Sequence, residues 1–160
     1  SKVLQHPLPI LPTMPLAAER PGLAHVFVEV ANPMKASLYP CSSIGEEQRR
    51  LEQGQILVHI SKLVLTANSL TYAIAGNTAP LNYFKHFPAD TNGQARSPCW
   101  GHGVVVASRC PQVREGTRVH GLFPLSPFVV LTPTRVSAED FVDGAPHRAG
   151  LISAYLTYNT

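Results

Sequence analysis

Charged residues are scarce in this sequence. Only 14% of its 160 residues are Asp, Glu, Lys or Arg, whereas 44% are hydrophobic, so the chain can bury a core and does not have the composition of a disordered protein. The net charge is only +3, and the densest basic cluster is Arg49–Arg50. Nucleic-acid-binding domains usually carry a basic stripe or patch. We therefore expect no nucleic-acid partner.

Cysteine is also rare. Cys41, Cys99 and Cys110 lie far apart and form no CxxC pair. This spacing supports neither a disulfide framework nor a cysteine zinc site, and it is typical of a reduced, cytoplasmic compartment. No apolar run approaches the roughly 18 residues of a membrane span, so we expect no membrane partner.

Prolines divide the chain into two parts. Five of the 15 prolines lie in residues 1–22. Because proline fixes φ and removes a backbone donor, this segment is predicted to be an extended arm and not part of the core. Its apolar residues either lie across a groove or form a mobile tail. The domain itself is predicted over residues 23–160.

The periodicity of the domain predicts many short strands and few helices. A turn region is predicted around Pro33 and Pro40, a short helix or loop over 44–51, and an irregular aromatic stretch over 77–98. Strands are predicted at 25–30, 56–65, 104–108, 118–123 and 128–131, helical residues within 66–76, and a C-terminal helix over 145–158. This pattern predicts a mainly β, barrel-like domain.

Several motifs occur in the order found in medium-chain dehydrogenases/reductases. GQILV at 54–58 is similar to the start of a strand in that superfamily, and TANSLTY at 66–72 is similar to the N-P-V-D-Y segment of its quinone-reductase branch. PCWGHGVV at 98–105 and the hairpin at 113–121 also resemble superfamily motifs. The chain resembles most closely a DUF2855-type branch, through LTANSLTYA, HFPA, WGHGVVVAS and DFVDGAPHRA.

This resemblance implies a GroES-like substrate-binding domain. The zinc-dependent branch has a catalytic cysteine where this chain has Asn68, and a Gly-His-Glu where it has Gly101-His102-Gly103. We therefore expect no metal. No G-x-G-x-x-G turn occurs, so we expect no Rossmann domain in this chain and no cofactor bound in the manner of the superfamily. If the chain does use a cofactor, the alternative that we expect is NADPH.

Two residues are predicted to be catalytic. The resemblance places Tyr72 in the substrate cleft, where its hydroxyl would donate to a carbonyl, and Asn68 would orient the substrate. His102 would act as a general acid or base. For each residue a structural role is the alternative: a cap, a packed ring or a hydrogen-bonding histidine. Further substrate-binding residues are predicted to be Tyr83, Lys85, His86, Trp100 and Phe123.

Three functions remain open at this point. The first is an enzyme that binds a small hydrophobic carbonyl metabolite and promotes its cofactor-independent isomerisation or cyclisation. The second is the substrate domain of an NADPH-dependent quinone or enone oxidoreductase. The third is a non-catalytic binding or assembly module. The face that normally meets the Rossmann half would be apolar, so we also predict a homodimer or larger assembly.

Overall fold

The computed structural model describes residues 23–89 and 91–160, and these residues form a mainly β fold. The predicted arm at 1–22 lies outside the described residues. The strands are β1 Ala24–Glu29, β2 Asn32–Pro40, β3 Ile56–Val64, β4 Gln94–Ala95, β5 Pro98–Ser108, β6 Arg118–Pro124, β7 Phe128–Leu131, β8 Pro133–Thr134, β9 Asp140–Asp143 and β10 Thr157–Asn159. The helices are α1 Ile44–Arg50 and α2 Ala67–Ile74, and 3₁₀ turns lie at Tyr83–His86, Pro146–Arg148 and Ser153–Tyr155.

Seven of the strands form a nearly closed, barrel-like sheet in the order β7-β3-β5-β6-β10-β9-β8. The strands β2, β1 and β4 form a second, smaller sheet. Both sheets are antiparallel, as expected for strands joined by short turns. The predicted mainly β, barrel-like fold is therefore confirmed.

The barrel interior is filled by the side chains that point inward from alternate positions along the strands. Ile56, Val58 and Val105 pack there against Phe123 and Tyr158, and all five are almost completely buried. Leu57, on the opposite face of β3, is also buried, because the chain after α1 covers it. A residue buried on each face explains why β3 is a continuous hydrophobic run and not an alternating one.

Two glycines on β5 let neighbouring strands approach closely. A Cβ at Gly101 would overlap the Lys62 carbonyl oxygen, and a Cβ at Gly103 would overlap the Val58 side chain. Since successive strand residues point to opposite faces, Trp100 and His102 lie on the outer face of the sheet.

The predicted C-terminal helix over 145–158 is wrong. Pro146–Arg148 and Ser153–Tyr155 are separate 3₁₀ turns, and Thr157–Asn159 is strand β10. Gly150 has a φ of 78°, a left-handed conformation that interrupts a helix. Burial of the Tyr158 ring inside the barrel then holds the last residues extended beside β9.

One further prediction differs from the structure in the N-terminal half. The region around Pro33 and Pro40 is strand β2, which lies at the edge of its sheet, the position in a sheet where proline is tolerated. Of the two alternatives predicted for 44–51, the structure shows the short helix, whose start the Ser43 and Glu46 side chains stabilise with a capping box. No helix in the described ranges is long and apolar enough to cross a membrane.

Candidate active site

The aromatic stretch predicted as a pocket wall is a tight turn with a buried inner side. The 3₁₀ turn at Tyr83–His86 follows Asn82, whose φ of 44° is left-handed. Tyr83 and His86 are buried, whereas Lys85 points outward and is exposed. The structure therefore places Tyr83 and His86, but not Lys85, in a position to line an internal site.

Tyr72, Tyr83 and Trp100, all predicted from the sequence, are brought together with Tyr155. Trp100 Nε1 donates to the Tyr72 hydroxyl at 3.1 Å, and the Tyr72 and Tyr83 ring centroids are 4.6 Å apart. The Tyr83 and Tyr155 hydroxyls are 3.2 Å apart. Burial raises the pKa of Tyr72. These contacts make an aromatic cluster in which Tyr72 and Tyr83 are buried and Trp100 and Tyr155 are partly exposed.

Other predicted residues lie elsewhere. His102 is exposed on β5, and its ring lies 4.7 Å from that of His120. Asn68 is exposed near the start of α2, where the cap is formed by Thr66 and Ser69 instead. Phe123 is inside the barrel, 5.4 Å from the Tyr158 ring, and belongs to the core.

A buried charge network lies beside the aromatic cluster. The Arg148 side chain is 1% exposed, and its Nη1 donates to Asp143 Oδ2 at 2.7 Å and to the Tyr158 hydroxyl at 3.0 Å. Asp143 Oδ1 accepts from the backbone N–H groups of Thr132 and Ala145. A buried ion pair is tolerated when its remaining polar atoms are hydrogen-bonded, as they are for this carboxylate.

The same arginine determines which nitrogen of His86 carries the proton. Arg148 Nη2 lies 3.1 Å from His86 Nδ1, and a guanidinium can only donate. Nδ1 therefore accepts, and the proton of the neutral ring is on Nε2. Burial, together with the nearby Arg148 and His147, lowers the pKa of His86 from 6.5 to about 4. The ring is thus neutral at physiological pH.

The Nε2–H of His86 has no hydrogen-bond partner among the described residues, although His86 is fully buried. A buried donor without an acceptor is unfavourable by about 1–3 kcal/mol. Such groups in native proteins often mark a catalytic role or a bound ligand.

A hydrogen bond also fixes which nitrogen of His147 is the donor. Its Nε2 lies 3.2 Å from the His86 carbonyl oxygen, which can only accept. Nε2 must therefore donate, and in the neutral His147 ring Nδ1 keeps its lone pair. Two adjacent histidines thus offer a fixed donor nitrogen and a fixed acceptor nitrogen.

Both histidines line a cavity of about 480 Å³ that opens to solvent on one side. This volume is within the range of small-molecule sites. The wall is mixed, with charged, polar and apolar side chains. It is formed by His25, Cys41, Ser42, Glu47, Arg50, Leu57, His86, Phe87, Pro88, Arg96, Phe128, Val129, Val130, Asp143, His147 and Arg148.

Sequence reasoning identified His86 but missed Asp143 and Arg148. Both lie in DFVDGAPHRA, a segment that carried the family resemblance but was assigned no chemistry. Charged residues next to apolar ones, Asp143 after Phe141-Val142 and Arg148 before Ala149, were the available signal. The helix predicted over 145–158 obscured this signal, because such a helix gives no reason to place Asp143 and Arg148 inside the barrel.

The described residues contain no group of three or more His, Cys, Asp or Glu side chains placed to hold a metal ion. Cys41, Cys99 and Cys110 are all free thiols, and Cys99 Sγ donates to the Val64 carbonyl at 2.9 Å.

Fold and site together define a barrel-like β domain with a small-molecule-sized cavity beside a buried histidine. Comparison with known families assigns the chain more narrowly. The model of the family described as protein of unknown function (DUF2855) matches residues 63–160, and the chain belongs to this family. That range includes β4–β10, the end of β3, His86 and the whole Arg148 network. No curated protein matches the chain.

Proposed function

We propose that this chain binds a small carbonyl compound in the His86 cavity and promotes its isomerisation by acid–base chemistry, without a redox cofactor. The observation that carries the proposal is the pair of complementary tautomers, a free Nε2–H on His86 and a free Nδ1 lone pair on His147. Neutral imidazole is an effective electrophile, because it donates a hydrogen bond without requiring a charged ring.

The chemistry follows from these two nitrogens. His86 Nε2–H donates to the substrate carbonyl oxygen and stabilises the negative charge that develops there. In a β,γ-unsaturated carbonyl compound, His147 Nδ1 accepts the proton from the α-carbon, and the C–H electron pair becomes a C–C π bond of a conjugated dienolate. The proton then returns from His147 to the γ-carbon, the remaining C–C double bond lies between the α- and β-carbons, and the carbonyl reforms. Substrate and product are isomers, so the cycle consumes no oxidant or reductant.

The test uses 3-cyclohexen-1-one, a small ketone whose double bond moves into conjugation during isomerisation. Formation of 2-cyclohexen-1-one is followed by its ultraviolet absorbance with the whole protein. His147→Ala removes the proposed base at an exposed position, so the fold should not be affected. We expect the rate to fall by about 10²-fold or more, the usual contribution of a general acid–base group.

His120→Ala is the matched control, because His120 is a partly exposed histidine outside the cavity. This variant should keep the wild-type rate. Absence of turnover by the wild-type protein contradicts the proposal. Loss of turnover in Tyr72→Phe or His102→Ala, with His147→Ala unaffected, would instead assign catalysis to the cleft predicted from the sequence.

A second candidate is the substrate domain of an NADPH-dependent quinone or enone oxidoreductase of the medium-chain superfamily. The observation that favours it is that β3 leads directly into α2, which carries Asn68 and Tyr72 in the order that the resemblance implies. The described residues do not fit the cofactor, because neither of their α-helices follows a glycine-rich phosphate-binding turn. Calorimetric titration of the protein with NADPH tests this candidate: measurable binding favours the reductase, and no heat excludes a cofactor site built by this chain alone.

A further inference from the structure

Two histidines form a pair on the outer face of the barrel, and neither of them lines the His86 cavity. His102 on β5 lies directly opposite His120 on β6 in the antiparallel register, and their ring centroids are 4.7 Å apart. Val105, further along β5, donates its N–H to the Thr117 carbonyl just before β6. Because hydrogen-bonding direction alternates along a strand, the two histidines form a non-hydrogen-bonded pair, the kind in which side chains lie closest.

The ring nitrogens of this pair are accessible to a ligand. His102 is exposed and His120 is partly exposed, and neither ring hydrogen-bonds to another group within residues 23–89 and 91–160. An exposed side chain changes rotamer within nanoseconds, so the His102 ring can turn either nitrogen towards its neighbour. Burial, together with the nearby His102, lowers the pKa of His120. At neutral pH this imidazole therefore keeps the lone pair that a metal ion requires.

The separation of the two rings fits a pair of ligands on one metal ion. A metal bound to an imidazole nitrogen at about 2.0–2.1 Å lies about 3.2 Å from the ring centroid. Two such rings are then about 4.5 Å apart when the angle between the ligands is about 90°, and about 5.2 Å apart at the tetrahedral angle. The observed 4.7 Å is closer to the first value. Ligand angles of about 90° are typical of Ni²⁺ and Cu²⁺, whereas Zn²⁺ prefers a tetrahedron.

The surroundings of the pair limit how tightly it can hold a cation. Lys62 lies opposite His102 on β3, and Arg118 lies two residues before His120 on β6. Both cations are exposed, so solvent and salt screen their repulsion of a metal ion. Asn159, opposite His120 on β10, carries no charge. Because the described side chains bring together no group of three His, Cys, Asp or Glu residues, water must supply the remaining ligands.

We propose that His102 and His120 bind one Ni²⁺ or Cu²⁺ ion, each through one ring nitrogen, with water completing the coordination sphere. Neighbouring strands hold the two ligands side by side, so binding requires no change of fold. The absence of the zinc motif of the medium-chain superfamily does not bear on this pair, because its two histidines come from different strands. The site is also separate from the proposed function, which uses neither histidine.

Trp100 reports on this site directly. It is the only tryptophan in the sequence, and its ring is stacked on that of His120 with the centroids 5.6 Å apart. Ni²⁺, with its partly filled d shell, quenches the fluorescence of a neighbouring indole, whereas Zn²⁺ has a filled d shell and does not. The experiment is therefore a titration of the whole protein with NiCl₂ at neutral pH, followed by tryptophan fluorescence and repeated with ZnCl₂ as a competitor.

His102→Ala removes one ligand at an exposed position and leaves the contact between Trp100 and His120 intact. His59→Ala is the matched control, because His59 is a partly exposed strand histidine whose ring lies beside Phe128 and not beside a second histidine. We expect saturable quenching by one Ni²⁺ per chain, with an affinity that falls at least about tenfold in His102→Ala, because one of two protein ligands is lost, and is unchanged in His59→Ala.

Three results would overturn the proposal. The first is an absence of saturable quenching in the wild-type protein. The second is an equal Ni²⁺ affinity of the wild type and His102→Ala, or an equal loss in both variants. The third is displacement of Ni²⁺ by an equimolar amount of Zn²⁺, which would contradict the inferred ligand angle. Each of these results leaves the proposed function unaffected.

Discussion

Replacing Arg148 by Met tests whether the buried network organises the site. The substitution keeps much of the side-chain volume but leaves the Asp143 carboxylate, which is 3% exposed, without its cation. It also removes the donors to His86 Nδ1 and the Tyr155 carbonyl. Breaking a buried ion pair in this way costs about 3–5 kcal/mol of unfolding free energy. For a domain of this size that corresponds to a fall in Tm of about 10 °C.

The assay is urea-induced unfolding, with Arg50→Met as the matched control. Arg50 also pairs with a carboxylate, Glu47, at 3.2 Å, but its side chain is 66% exposed. An exposed ion pair contributes about 0–1 kcal/mol to the free energy of unfolding, so the stability of Arg50→Met should remain near that of the wild type. Adding Asp143→Asn to Arg148→Met should restore part of the loss, because no unpaired buried charge remains. Equal destabilisation by the Arg50 and Arg148 variants would refute the reasoning.

Three further predictions concern pH, packing and assembly. Because the pKa of His86 is lowered from 6.5 to about 4, the unfolded chain binds a proton between these pH values that the native chain does not. The free energy of unfolding should therefore fall as the pH is lowered from 6.5 to 4, by at most about 3 kcal/mol. Denaturation at several pH values checks this, and the His86 contribution should be absent from His86→Gln. Gly103→Ala should lower the free energy of unfolding by about 1–3 kcal/mol, since its Cβ would overlap Val58. The control Gly45→Ala, in helix α1, should raise it by about 0.5–1 kcal/mol. An unchanged thermal stability of Gly103→Ala would contradict the close packing at this glycine. The predicted homodimer should be weakened by Leu70→Glu, because Leu65, Leu70 and Ile74 are exposed on and beside α2, and a monomeric solution mass of the wild type at high concentration would exclude it.

The fold was largely predictable from local pattern. Strands β1, β3, β6 and β7 follow from β-branched and aromatic runs, and each was placed within about two residues. Strand β2 was missed, because its prolines are turn signals that an edge strand can also accommodate. The predicted C-terminal helix was wrong because the helical spacing of Leu151, Ile152 and Tyr155 is outweighed by the left-handed Gly150 and by burial of Tyr158, which is a tertiary effect.

The site was only partly predictable. The aromatic residues of the 77–98 stretch predicted a pocket wall, and Tyr83 and His86 were identified within it. Arg148 lies five positions from Asp143, but its contact with His86 joins two 3₁₀ turns whose residues are 62 positions apart, which no spacing in the sequence encodes. The direct bond between Trp100 and Tyr72 likewise joins β5 to α2 and is a property of the fold.

The central claim is that His86 presents a neutral Nε2–H to a carbonyl ligand, and nitrogen-detected NMR of the histidine rings tests it most directly. We expect ¹⁵N shifts of a neutral ring protonated at Nε2, unchanged from pH 7 down to about pH 5. Addition of 3-cyclohexen-1-one should displace the Nε2–H resonance. A ring protonated at both nitrogens at pH 6, a neutral ring with its proton on Nδ1, or an Nε2–H resonance that ignores the ketone would contradict it.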